Sequence, residues 1–169
     1  MSSPAANPGT RRRVFSAAQA AGARILWLFG VVASPALAYL GGDASSVSAD
    51  RVALRGERSD QSMLQYDLHV ITAATGTVVN EYTSRDNRVF AITWQGPTPP
   101  DLRALFGAYF PGFQSAAAAG AATRAGAHRQ LSLVQADFVF RAAGHARAFR
   151  GRAYVPSLVP AGVAADDLP

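Results

Sequence analysis

From Met63 the chain alternates: Leu64, Tyr66, Leu68 and Val70 are separated by Gln65, Asp67 and His69, the spacing of a half-buried strand, with Ile71 falling on the polar side. Ala74-Thr75-Gly76 reads as a turn in which Gly76 supplies a positive φ. Thr77–Thr83 follows as a second strand, Arg85-Asp86-Asn87 as a second turn and Arg88–Trp94 as a third strand. Three-residue turns set Leu68 opposite Tyr82 and Tyr82 opposite Phe90. Leu64, Tyr66, Leu68, Val70, Val78, Tyr82, Phe90, Ile92 and Trp94 then share one apolar face. Asn80 is the exception on it, marking either a rim or a register shifted by one.

After Gln95-Gly96-Pro97 the period becomes helical. Thr98 is the predicted cap, Pro99 suits the first turn, and Asp101 completes a T-x-x-D box. Leu102, Leu105, Phe106 and Tyr109 make one stripe, which Pro111-Gly112 is expected to end. Phe113–His128, rich in Ala and Gly, reads as a poorly specified helix or a flexible connector. Leu131–Arg141 and Ala146–Val155 are two further strands around a turn at Ala142–His145, which opposes Phe138 to Phe149, Asp137 to Arg150 and Gln135 to Arg152. Upstream, Ala44–Leu54 is a short helix with Val47 and Leu54 inward and Asp50 and Arg51 outward, followed by a loop at Gly56–Asp60. The predicted class is α+β: an antiparallel three-strand meander plus a C-terminal two-strand hairpin, with a helix packed on the sheet.

The first 38 residues read as an address. Arg11, Arg12 and Arg13 precede the apolar run Ile25–Ala33, and Ser34-Pro35-Ala36-Leu37-Ala38 offers an A-x-A site with the cut after Ala38. An uncleaved anchor fits less well, because the apolar stretch is shorter than the roughly 20 residues a spanning helix needs and Pro35 interrupts it. Arg12-Arg13-Val14-Phe15 resembles a twin-arginine core, but the apolar run favours the general secretory route. The organisation is then a signal peptide over 1–38, an N-terminal segment over 39–62, a domain over 63–160 and a tail over 161–169, expected to be loose at the acidic Asp166-Asp167, in a periplasmic or secreted protein.

That division changes the charge. The leader removes four of the 16 basic residues and none of the 11 acidic ones, leaving +1 on residues 39–169. A nearly neutral body argues against nucleic-acid binding. No cysteine is present, which excludes thiol catalysis, zinc-thiolate sites and a lipid anchor on cysteine.

No G-x-S-x-G occurs, and His69, His128 and His145 are scattered without metal-ligand spacing. Gly41-Gly42-Asp43 follows no strand, so it reads as a flexible start to the body and not as a phosphate loop. His69, opposite Glu81, is expected to form a cross-strand ion pair. No catalytic residue, metal or cofactor is expected. Six arginines against Asp137 give residues 124–152 a local charge of +5. Within them Arg147, Arg150 and Arg152 are the candidate binding cluster, for phosphate, a glycan carboxylate or an acidic partner. The alternative is a solvated strand face with Arg150 paired to Asp137. Trp94, with Phe106, Tyr109, Phe110 and Phe113, is the candidate wall of an apolar groove, although core packing accounts for most of these rings.

Gly76–Tyr82, Val89–Pro97, Pro100–Phe110 and Gly144–Pro156 resemble an uncharacterised family of exported proteobacterial proteins, domain of unknown function 2844. The resemblance spans nearly the whole of residues 39–169 and implies export, with no activity, ligand or catalytic residue to carry over. Where the family tends to have Arg after two valines, this chain has Asn80. The expected function is non-enzymatic binding or scaffolding of an envelope component, protein or anionic glycan or lipid. The alternatives are an enzyme with an unfamiliar site and a binder of small apolar ligands.

Overall fold

The computed structural model describes residues 39–123 and 130–169; the expected leader with Ala36 and Ala38, and the stretch 124–129 with Arg124 and Arg129, lie outside the described residues. Seven strands build one antiparallel sheet: β1 (Glu57–Ser62), β2 (Tyr66–Thr72), β3 (Val78–Ser84), β4 (Val89–Gly96), β5 (Gln130–Gln135), β6 (Phe138–His145) and β7 (Ala148–Tyr154). Their order is β1-β2-β3-β4-β7-β6-β5, two meanders joined where β4 pairs with β7. The helices are α1 (Val47–Ala53), α2 (Leu102–Phe106) and α3 (Phe110–Thr123).

The class is α+β, with more strands than the alternation announces. β1 occupies the expected loop; its sequence Glu-Arg-Ser-Asp-Gln-Ser has no apolar period because it is an edge strand held by its ladder to β2 and by ion pairs. The expected single strand Leu131–Arg141 is two, folded back at Ala136-Asp137, where Gln135 pairs with Phe138. The Asp137 carboxylate fixes that turn by accepting from Ser157 N at 3.0 Å and Ser157 Oγ at 2.7 Å.

Two registers differ from expectation. Leu68 does face Tyr82, but Tyr82 faces Ala91 and Thr83 faces Val89, so Phe90 is the extra residue of a β-bulge. Val89, Ile92 and Trp94 therefore point to the helices, while Phe90 and Ala91 point the other way. The single apolar face of the sequence reading divides between two cores. Leu64 joins neither: it lies in the β1–β2 connection and is 94% exposed. In the second hairpin Gly144, and not Phe138, faces Phe149, and the turn is Ala146-Arg147. Along β6 and β7 this slide of six residues keeps each side chain on its expected face, so alternation alone could not detect it, whereas the fold-back at Ala136-Asp137 puts Gln135 on the face of Phe138 and turns Val134 to the other. Packing selects it, because Gly151 sits opposite Trp94 and a Cβ there would lie 2.2 Å from Trp94 Cζ2. Gly151→Ala is expected to cost about 1–3 kcal/mol through displacement of the indole, read as a lowered denaturation midpoint and an altered near-ultraviolet tryptophan signal.

The helix-face core contains Leu40, Val47, Ile71, Val79, Ile92, Trp94, Leu105, Phe106, Phe138 and Phe140. The stripe on α2 packs as expected, but Asp101 and not Thr98 caps it, accepting from Arg103 N at 2.9 Å and Ala104 N at 3.3 Å. Thr98 is held instead by Thr77, whose hydroxyl donates to its carbonyl at 2.7 Å. The interruption comes at Gly107, with φ +48°, and Pro111-Gly112 fall inside the first turns of α3, where proline loses little. The expected flexible Gly41-Gly42 stretch is instead paired to β4: Gly41 N donates to Val89 O at 2.7 Å and Val89 N to Gly42 O at 2.9 Å.

The opposite face is covered by the tail. Leu68, Tyr82, Phe90 and Ala91 pack against Ala165 and Leu168, and Pro169 O accepts from Tyr82 Oη and Thr93 Oγ1, both at 2.6 Å. The tail, expected to be loose at Asp166-Asp167, is tied down there: the flanking Ala165 and Leu168 belong to a second core, and Arg141 binds Asp166.

Candidate functional site

Strand pairing places two polar rows on the tail face beyond Leu168. One runs Asn80, Thr93, Arg152, Arg141, Ser132 and the other Val78, Gln95, Arg150, Ala143, Gln130. Together they line a cleft of about 530 Å³ against Leu168 and Pro169. Asn80 belongs to this rim, its Nδ2 donating to Thr93 Oγ1 at 3.2 Å. The expected Arg150–Asp137 pair is absent because the strand slide separates them. Arg150 lies between Gln95 and Ala143, and Arg152 between Thr93 and Arg141.

The arginines have different duties. Arg141 binds the Asp166 carboxylate at 2.6 Å, and the Arg152 guanidinium donates to the Asp166 carbonyl, so both tie the tail to the sheet. Arg150 and Arg147 are exposed and form no ion pair with any described residue. Arg147 occupies the hairpin turn at φ +65°, a conformation glycine or asparagine adopts more cheaply. Trp94 does not join the arginines. Gly151, between Arg150 and Arg152, opens the other face to the indole, which packs with Phe106 and Phe140 at ring-centroid distances of 6.2 and 5.9 Å.

Two constellations escaped the sequence reading. His69 does not pair with Glu81; its Nδ1 lies 2.8 Å from Asp60 Oδ1 and its Nε2 3.0 Å from Thr83 Oγ1. Arg58 also binds Asp60, at 2.6 Å, and this bond holds the Asp60 carboxyl below the usual range despite partial burial. Asp–His–Thr order is the connectivity of a nucleophile relay. Thr83, however, is 2% exposed and His69 is buried, so the relay locks β1, β2 and β3 together. Its partner Asp60 sits on the strand that lacks an apolar period, which hid it.

The second constellation is Asp50 on α1 against Glu81 on β3. Both are buried, and none of their four carboxyl oxygens receives a donor from another residue. Burial pushes Asp50 up to about 6, opposed by a hydrogen bond from Glu81 and reinforced by the charge of Asp101. Burial, with the Asp50 hydrogen bond and charge added, drives Glu81 well above the carboxylate range. The pair therefore shares a proton at neutral pH, which supplies the missing donor. Asp50, expected to face outward, is buried because it lies three residues after Val47 and four before Leu54, on the inward stripe of α1.

Among the described residues no group of three or more His, Cys, Asp or Glu gathers to hold a metal ion, and no helix is long and apolar enough to cross a membrane. Fold and face together define a small α+β protein with one antiparallel sheet and an arginine-lined open face. Over residues 36–168 the chain matches a family described as protein of unknown function (DUF2844), and it belongs to that family. No curated protein and no solved structure matches it.

Proposed function

We infer that the protein is exported, with its leader removed after Ala38, and acts in the cell envelope as a non-enzymatic binding or scaffolding protein whose tail face holds an anionic component. The reading rests on Arg150, an exposed guanidinium without an ion-pair partner among the described residues, set in a cleft between Gln95 and Arg152. Asp166, the acid that the tail brings to that face, is already engaged by Arg141. Gln95 lies directly across the strand from it, while Asn80 and Thr93, whose side chains donate to Pro169 O, line the far side of the same cleft; the Gln95 amide and the guanidinium are the chemistry that receives a sugar carboxylate or a phosphate. The leader pattern supports export, and the seclusion of the Asp60–His69–Thr83 relay favours binding over catalysis.

Retention of the protein on purified cell-envelope fractions is expected to fall with added salt. Arg150→Glu is expected to weaken it about tenfold or more, the size of one or two lost charge-assisted hydrogen bonds. Arg150 is the diagnostic position because Arg152 also holds the tail. Salt-insensitive retention, unchanged in Arg150→Glu, overturns the reading.

A further inference from the structure

The geometry points to a second ligand on the other face: a long-chain alkyl carboxylate, its hydrocarbon chain in the groove beneath α2 and its carboxylate at the arginine turn. The groove encloses about 570 Å³ and is floored by Trp94, Phe140 and Ala142, with Leu102, Phe113 and Phe149 as walls. That volume lies within the range of small-molecule sites, roughly 300–1,000 Å³. Leu102, Phe113 and Phe149 are only half-buried, so each turns apolar surface into the groove. Aliphatic and aromatic walls without a buried polar group suit a chain that brings no hydrogen-bonding atoms with it.

The groove is not apolar throughout. A hollow of about 930 Å³ at the β6–β7 turn shares Gly144, His145, Phe149 and Arg150 with it and adds Arg147 and Gln95. Among the described residues that line them, neither space has an aspartate or glutamate. The depression therefore runs from hydrocarbon surface to a rim carrying Arg147, Arg150 and His145 with no anion of its own. A neutral apolar ligand leaves that rim unused, and a compact anion leaves the groove unused. A single-chain carboxylate satisfies both, and the planar guanidinium fork matches a carboxylate in shape and charge. Arg147 fits this assignment, since a positive-φ turn position is occupied by a long cation where glycine is cheaper. The inference shares Arg150, which lines both spaces, with the tail-face reading and differs from it in the helix-face groove, so palmitate binding and envelope retention fail separately.

The test uses the full chain with Trp27→Phe, which leaves Trp94 as the sole tryptophan. Submicellar palmitate is titrated while Trp94 fluorescence is followed, with hexadecanol as the uncharged chain of equal length and octanoate as the short anion. The expected result is saturable one-to-one binding of palmitate, with hexadecanol and octanoate each weaker by about tenfold or more. Leu102→Asp and Phe149→Asp, placed at the groove wall, abolish the signal, and Arg150→Glu lowers affinity about tenfold with the circular dichroism spectrum unchanged. Absence of saturable palmitate binding to the unmutated groove overturns the assignment. So does equal affinity for hexadecanol, which assigns the groove to apolar ligands alone. Self-association of the ligand-free chain that palmitate cannot reverse overturns it too, by assigning the groove to a second copy.

Discussion

Between pH 4 and pH 8 the protein is expected to lose at least about 3 kcal/mol of folding stability, and Asp50→Asn/Glu81→Gln is expected to lose almost none. In the unfolded chain both carboxyls release their protons near pH 4. In the folded chain Asp50 holds its proton up to about 6 and Glu81 well beyond its ordinary value, because desolvation penalises the charged forms. The unfolded state therefore binds fewer protons throughout this window, and stability declines as pH rises. Two pH units on Asp50 alone correspond to about 3 kcal/mol. Below pH 4 the pair is protonated in both states and imposes no penalty. There the opposite sign takes over: Asp43, Asp60 and Asp67 are held below the carboxylate range, chiefly by the Ser45 backbone N–H, Arg58 and the Ser62 hydroxyl, and what they contribute is lost on further acidification. The optimum is expected near pH 4–5, an acidic one for a protein of this size. Urea titrations at pH 4.5, 6 and 8 check it, and a profile as flat as that of the double variant refutes the shared proton. The amide pair is nearly isosteric, so a gain at pH 8 reports charge and not packing.

Phe106→Ala is expected to cost about 3–5 kcal/mol, lowering the thermal midpoint by roughly 10–20 °C. Phe106 is fully buried, and its ring meets Phe113, Phe138, Phe140 and Trp94 at centroid distances of 5.2, 5.5, 5.7 and 6.2 Å. Four rings around one side chain leave little room for collapse into the vacated volume, which puts the cost at the upper end for a core truncation. Total stability for a domain of this size is about 5–15 kcal/mol, so the variant folds marginally. Leu64→Ala, at the exposed β1–β2 connection, is the control and is expected to change stability by no more than about 0.5 kcal/mol. Differential scanning calorimetry of the two variants separates burial from hydrophobicity as such, because both residues are large and apolar.

What the sequence announced was local. The β2–β3 register, with Leu68 opposite Tyr82 and His69 opposite Glu81, follows from a short turn carrying Gly76 at φ +82°. The stripe Leu102, Leu105, Phe106 and Tyr109 follows from helical spacing. The misses are tertiary. The Phe90 bulge is invisible to alternation because both sides of β4 are buried, so its apolar run carries no period to count. The Ala146-Arg147 turn lacks a glycine at its positive-φ position, while the glycine that attracted the expected turn, Gly144, lies within β6. The tail looked loose because its two anchors, Ala165 and Leu168, are too few to show a period. For the candidate site, alternation placed Arg150 and Arg152 on one face. It could not reveal that Arg152 is committed to the tail while Arg150 is free of ion pairs, nor that Gly151 sends Trp94 through to the opposite side.

The seam between β4 and β7 has a kinetic consequence. Each meander zips through neighbouring hairpins, but the ladder from Gly96–Phe149 to Ala91–Tyr154 joins strands about 50 residues apart, and closing such a loop costs about 3–4 kcal/mol of chain entropy. That closure is repaid only when Trp94 settles over Gly151 and Phe140 arrives beside it. The β4–β7 ladder is therefore expected to form after the hairpins on either side of it.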